Sequence, residues 1–152
     1  MATIQFRFED KLTNKQDKLL ALLNNSAVKR NVNKFIGDAI TPYVPMETGR
    51  LRDSMYVGPT LISWGRGLEY AHYQYEGEVY GPNFPITRFG TVVGWFSLPG
   101  VKKVPMERQL QYKTDGTRDH WIEVYEGDLK RETNLKITQY LKQECKARGL
   151  NK

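Results

Sequence analysis

All seven prolines of this 152-residue chain lie between Pro42 and Pro105, together with nine of its thirteen glycines. Proline lacks a backbone N–H group and is excluded from helix interiors and central strands, so this placement divides the chain into three parts. The two ends are free to form long regular elements, whereas the middle is broken into short ones. The length is typical of one domain, and we expect a single domain over residues 1–152.

The first part changes from an alternating pattern to a helical one. Ile4, Phe6 and Phe8 alternate with polar residues, which predicts an N-terminal strand. Apolar residues at helical spacing then predict a long helical stretch over about 11–40. The polar triplet at 24–26 favours a helix cap, so one kinked helix and two consecutive helices both fit.

The middle part predicts a short helix, several strands and a long loop. The predicted pieces are, in order, a helical turn at 48–55 with Thr48 as its N-cap, a hairpin around 58–60, a helical turn at 70–75 ending at Gly77, a long loop at 78–89 and a strand at 92–96. The last part predicts a helix that begins near His120, with Trp121 on its apolar face. We therefore expect an α+β fold with an N-terminal strand, a long helix, a central, mostly antiparallel sheet with a long loop, and a C-terminal helix packed on that sheet.

The charge and the composition exclude several classes of protein. The net charge of +6 suggests an acidic partner such as nucleic acid, but residues 1–60 and 61–152 each carry +3 and there is no basic block. The single cysteine, Cys145, excludes an intramolecular disulfide, and its place on a helical apolar stripe favours a core role. The chain begins without the apolar segment of a signal peptide and has no apolar run near the length of a membrane span, which predicts a protein made in the cytoplasm with no membrane partner.

A search for catalytic patterns finds only weak candidates. Phosphate-binding loops and a metal-ligating cluster are not apparent, so we expect no enzyme, no cofactor and no metal. Arg50 and Arg52 follow Thr48 at a helix start, where an anion could bind, but a capped turn with two solvated arginines is the favoured interpretation. A glycosidase would need two of the acids Glu47, Glu69, Glu76 and Glu78 to converge, which spacing alone does not show.

The aromatic residues give the strongest positional signal. Eight of the eighteen lie within residues 70–96. Such residues are found in protein cores, at sites that stack on the bases of single-stranded nucleic acid, and at subunit interfaces. Nucleic-acid stacking also needs lysine or arginine residues between the aromatic ones, and Arg88 is the single one in this stretch. The expected loop would present Tyr80, Phe84 and Phe89 to solvent, and contact with a partner is the preferred interpretation of these three residues.

Two segments of the middle part carry a resemblance to a known family. Residues 42–54, PYVPMETGRLRDS, are followed by residues 70–77, YAHYQYEG, and then by a tryptophan in HWIEVYEGDLKRE. This order resembles the minor capsid proteins of tailed bacteriophages, the neck or tail-completion proteins, over about residues 35–145. The matching residues are Thr48, Gly49, Leu51, Ser54, Tyr70, Ala71, Tyr75, Gly77 and Trp121.

The resemblance implies a structural role in the virion. Such proteins form a homo-oligomeric ring, expected to be hexameric, at the head–tail junction between the head-closure protein and the tail-terminator or tail-tube proteins. The motif residues would then be a signature of the fold rather than a catalytic site. Proximity to DNA without specific binding would be compatible with the positive charge, and a nucleic-acid-binding module with a diffuse basic surface is the alternative function.

Overall fold

A computed structural model describes the backbone of residues 10–150 and the side chains of residues 14–150. The predicted N-terminal strand with Ile4, Phe6 and Phe8 lies outside the described residues. The helices and strands are, in chain order, α1 (Asp10–Asn24), α2 (Ser26–Ile40), α3 (Arg50–Asp53), β1 (Tyr56–Val57), β2 (Ile62–Ser63), α4 (Ala71–Glu76), β3 (Glu78–Gly81), β4 (Phe84–Arg88), β5 (Thr91–Phe96), β6 (Val104–Gln109) and α5 (Gly127–Ala147). This mixture of helices and antiparallel strands confirms the α+β prediction.

The chain contacts divide the molecule into two compact units. Among the described residues, the helical unit comprises 10–40, 56–63 and 125–150, and the motif unit comprises 41–55 and 64–124. The strands in the described residues form three two-stranded antiparallel sheets, β1–β2, β3–β6 and β4–β5, rather than one central sheet. The single domain over 1–152 stays a prediction.

The helical unit resolves the choice between one kinked helix and two helices. The side-chain oxygen of Asn25 accepts hydrogen bonds from the backbone N–H groups of Ala27, at 2.9 Å, and of Val28, at 3.2 Å. Asn25 is therefore the N-cap of α2, and it separates α1 from α2 within the polar triplet that predicted a cap.

The core of the helical unit forms where the three long helices meet. Leu22, Val28 and Leu150 are buried together, and Cys145 packs against them, as its place on the apolar stripe predicted. Within the helical unit, α5 packs against α1 and α2. The expectation that the C-terminal helix packs on a central sheet is therefore wrong, because these two helices cover the apolar stripe of α5.

The predicted start of the C-terminal helix near His120 is also wrong. Trp121–Val124 form a short 3-10 helix, and α5 begins at Gly127. His120 has a φ of 43° and Gly127, at the very start of α5, has a φ of 52°; a right-handed helix does not continue through such left-handed values. The helical spacing of Trp121, Val124 and Tyr125 thus spans a break in the backbone.

The middle of the chain confirms the short elements and contradicts the long loop. The β1–β2 hairpin and α4, which ends at Gly77, lie where they were expected. Residues 78–88 form β3 and β4 instead of a loop, because β3 pairs with β6 and β4 with β5. Every strand of a two-stranded sheet is an edge strand, so Pro85 is tolerated within β4, where it pairs with Trp95.

Candidate assembly surface

The four strands β3 to β6 form one excursion of the chain, which we call the arm (residues 78–109). The outgoing strands β3 and β4 pair with the returning strands β6 and β5, respectively, so β3–β6 forms the base of the arm and β4–β5 its outer hairpin. A two-residue turn, Phe89-Gly90, closes the hairpin between the paired residues Arg88 and Thr91. β4 and β5 pack mainly on each other.

The outer hairpin exposes an unusual amount of apolar surface. Trp95 is 60% exposed, and Phe89 at the turn is fully exposed. The large apolar side chains exposed on the hairpin are Phe84, Ile86, Phe89, Val92, Val93, Trp95 and Phe96. Soluble monomers rarely leave so many such side chains uncovered in one place, and contiguous patches of this kind mark interaction sites.

Both faces of the hairpin are apolar. Phe84 pairs with Phe96 across the strands, and their ring centroids lie 5.6 Å apart on one face. Trp95 lies on the opposite face, because side chains alternate along a strand. A strand with one face on a core alternates apolar and polar residues. Residues 91–96 lack this alternation, which indicates a strand with two contact surfaces. The prediction of a partner-binding loop rested on the aromatic residues and not on this pattern.

The three predicted interface residues differ in their surroundings. Phe89 and Phe84 are exposed, as expected. Tyr80 is half-buried, and its ring centroid lies 4.6 Å from that of Tyr73. Burial raises the pKa of the Tyr80 hydroxyl, and Glu78 raises it further. Tyr80 therefore contributes to the packing at the base of the arm and is only partly exposed, and its place at an interface stays a prediction.

Several motif residues are buried in the interior of the motif unit, whereas Thr48 and Tyr70 are exposed. Leu51 and Ala71 are buried, and a Cβ atom on Gly65 would lie 2.2 Å from the Cβ of Ala71 and 3.5 Å from a methyl group of Leu51. Ser54 Oγ donates a hydrogen bond to the Leu51 carbonyl at 2.6 Å and accepts one from the Gly65 N–H at 2.7 Å. Gly65 is the member of this cluster that the sequence did not reveal, because Gly65-Arg66-Gly67 reads as an ordinary turn.

The second half of the motif is also structural. The ring of Tyr75 packs edge-on against buried Trp121, with centroids 4.9 Å apart. Gly77 ends α4 with a φ of 73°, and a Cβ atom there would lie 2.7 Å from the Asp119 side chain. Glycine is required here both for the left-handed backbone and for space, so Gly77 allows the 119–121 segment to lie close against the end of α4.

The start of α3 differs from the prediction in two ways. The N-cap is Gly49, with a φ of 82°, and no side chain caps the helix, so Thr48 is not the cap. Arg52 is not a solvated arginine: its guanidinium group donates to the carbonyls of Val44, at 2.8 Å, and Pro42, at 2.7 Å. A guanidinium group can bridge two carbonyls in this way because it carries five donors in a fixed planar fork.

A cavity of about 340 Å³ lies beside the Thr48-Gly49 turn. Pro45, Leu51 and Tyr70 give it an apolar wall, and Glu47 and Arg50 also line it. Lys113 Nζ lies 2.8 Å from Glu47 and lowers the pKa of its carboxyl group. A glycosidase acid needs a raised pKa, so the electrostatics of Glu47 oppose that role.

Comparison of the chain with known protein families, with curated proteins and with solved structures found no match. Within residues 14–150, His, Cys, Asp and Glu side chains form no cluster suited to a metal ion. A search of the described helices found none that is both long and apolar enough to cross a membrane.

Proposed function

We propose that this chain is a structural protein of the phage neck, which forms an oligomeric ring that joins the head connector to the tail. The observation that carries the proposal is the outer hairpin of the arm, where seven large apolar side chains are exposed on two faces. A function based on protein contact uses this surface directly. The burial of the motif residues Leu51, Ala71, Gly77 and Trp121 agrees with a structural family signature.

The energetics of the hairpin support a role in assembly. An isolated two-stranded hairpin is at best marginally stable in water, so β4–β5 gains stability when another surface covers it. Fully burying one large apolar side chain contributes about 1.5–3 kcal/mol. Covering several of them provides enough free energy to offset the loss of freedom when subunits associate, which is what a ring of identical chains requires.

Imaging of purified virions that encode this chain tests the proposal. We expect the chain at the head–tail junction, in a small and fixed number of copies. Deletion of its gene should leave filled heads and tails that do not join, and the wild-type gene supplied in trans should restore joining. Virions that lack the chain, or joined particles in the deletion strain, would contradict the neck function.

The charge of the helical unit favours one alternative, a nucleic-acid-binding module. Within the described residues this unit holds twelve lysine and arginine residues and seven aspartate and glutamate residues, whereas the motif unit holds nine of each kind. The even split along the sequence therefore conceals an excess of positive charge on the helices. If the helical unit binds DNA, the affinity must fall steeply with salt, because phosphate contacts release counterions. Binding that is unchanged by salt, or absent, would exclude this alternative.

A further inference from the structure

We propose that the tip of the arm docks into the cavity beside the Thr48-Gly49 turn of a second copy of this chain, with Phe89 as the inserted side chain. This inference rests on the proposed ring, and it names the two surfaces that meet in it. Both surfaces belong to the motif unit. The occupant of the cavity is thus a defined residue of a neighbouring subunit.

The backbone of the tip is the first argument. Phe89 has a φ of 50° and Gly90 a φ of 79°. Positive φ at both central residues is the type I′ hairpin turn, in which asparagine followed by glycine is strongly preferred. A bulky residue is disfavoured there, and its ring is also fully exposed. Both the backbone angle and the exposure of Phe89 are unfavourable in the isolated chain, which indicates that Phe89 acts in contact with another molecule.

The cavity has the size and the lining that an aromatic ring needs. A closed apolar cavity of about 150 Å³ accommodates benzene, and the cavity beside the Thr48-Gly49 turn measures about 340 Å³. Pro45, Leu51 and Tyr70 provide apolar contacts for the ring. Gln74 and Glu47 on the same lining offer acceptors for Arg88, which directly precedes Phe89, although Arg50 opposes it there.

The charges of the motif unit favour a second copy as the partner. The arm holds four bases and two acids, and no acid lies between Val79 and Met106. The rest of the unit, residues 41–55, 64–77 and 110–124, holds five bases and seven acids. Opposite charges attract an arm to the body of another copy, whereas two arms repel each other.

This contact joins two different surfaces, and that determines the kind of assembly. An arm-to-body contact is heterologous, so each copy offers one arm and one cavity and the chain of contacts closes into a ring when the rotation permits. A self-complementary contact would stop at a dimer. The proposal therefore predicts an oligomer larger than a dimer.

Disulfide trapping in the full-length chain tests the docking. In a Cys145→Ala background, Thr91→Cys and Thr48→Cys are prepared separately, with Lys102→Cys, on the loop between β5 and β6, as the matched arm control. Thr91 directly follows the Phe89-Gly90 turn and Thr48 lines the cavity, so both variants keep Phe89 and Tyr70 intact. We expect a covalent dimer when the Thr91→Cys and Thr48→Cys proteins are mixed, and none when Lys102→Cys replaces Thr91→Cys. With both cysteines in one chain, a ladder of linked copies should appear on a non-reducing gel. Failure of the Thr91→Cys and Thr48→Cys pair to link would overturn the proposal.

Phe89→Asn separates docking from folding, because asparagine suits the turn and removes the ring. We expect an unchanged or higher melting temperature, with the dissociation constant between copies raised by at least about tenfold in light scattering. Equal assembly by Phe89→Asn and wild type would overturn the docking while leaving the ring in place. The location of the chain in virions decides the neck function separately, since that result does not depend on which surfaces meet.

Discussion

Gly65 packs directly against Ala71, with no room between them for another carbon: a Cβ atom on Gly65 would lie 2.2 Å from that of Ala71. Gly65 also has a φ of 82°, a left-handed value that residues with a side chain rarely adopt. The contact brings the turn after β2 onto the first residue of α4. The distance between this turn and α4 therefore depends on Gly65 having no side chain.

Gly65→Ala should therefore destabilise the protein by about 3 kcal/mol, the sum of the left-handed backbone and an overpacked contact. Gly67→Ala is the matched control, because its φ of 75° is similar and a Cβ atom there meets nothing within 4 Å. The control should lose only about 1 kcal/mol. Chemical denaturation measures both, and equal losses would show that the close approach to Ala71 contributes nothing.

Arg52→Ala should cost about 2 kcal/mol, because two backbone carbonyls lose a charged donor. Arg50→Ala is the matched control on the same short helix: its side chain is exposed, and we expect a change within about 0.5 kcal/mol. Urea unfolding curves distinguish the two variants. If Arg50→Ala proved as damaging as Arg52→Ala, the bonds to Val44 and Pro42 would not be what stabilises this turn.

Asn25→Ala should cost about 1 kcal/mol by removing the cap of α2. Asn24→Ala serves as the control, because the Asn24 side chain accepts an exposed bond from Lys29 at 3.2 Å rather than capping a helix. The difference in melting temperature between the two variants reports the cap. Little or no difference between them would indicate that packing alone holds α2 in place.

Tyr112 should make the protein less stable at alkaline pH. Its hydroxyl group donates to the Gln74 carbonyl at 2.6 Å, and burial, with Asp119 nearby, raises its pKa to about 12 from 10.0. The unfolded chain loses this proton at a lower pH than the folded chain. The stability that the Tyr112 hydroxyl contributes is therefore fully present below pH 10 and falls as the pH rises from about 10 to 12.

Thermal melts across this pH range test the effect of Tyr112. Tyr112→Phe should be less stable by about 1 kcal/mol at neutral pH, since the Gln74 carbonyl loses its donor. It should also lose less stability than wild type as the pH rises. Parallel curves for the two proteins would assign the alkaline loss to other tyrosines.

Tyr80→Ala and Trp95→Ala should affect different properties. Tyr80 packs against Tyr73, so its removal should lower the stability of the single chain by about 2 kcal/mol or more. Trp95 is 60% exposed, so its removal should leave the melting temperature nearly unchanged and weaken assembly. Light scattering and thermal melts on both variants separate the effects. A large stability loss in Trp95→Ala would place this residue in the fold rather than at an interface.

Local patterns in the sequence were sufficient where the structure is local. A cap within residues 24–26, the hairpin around residues 58–60 and the end of α4 at Gly77 each depend on neighbours a few residues away, so residue preferences predicted them. The core position of Cys145 followed from helical spacing for the same reason. These features needed no knowledge of how distant segments meet.

The features that the sequence did not predict depend on distant partners. β3 was expected to be part of a loop because its partner, β6, follows more than twenty residues later and supplies the hydrogen bonds that make it a strand. Gly65 and Arg52 acquire their roles only from Ala71 and from the carbonyls of Pro42 and Val44, respectively. Such contacts leave no periodic pattern to read.

The clustering of all prolines between Pro42 and Pro105 by itself determined that the ends are free to form long regular elements and that the middle is broken into short ones, since proline limits backbone geometry wherever it occurs. The tertiary structure alone decided which motif residues are buried, and that the aromatic residues divide between the interior of the motif unit and an exposed hairpin. Burial depends on which segments come together in space. Strand pairing between β4 and β5 leaves Phe89 and Trp95 in solvent, whereas packing against Trp121 covers Tyr75.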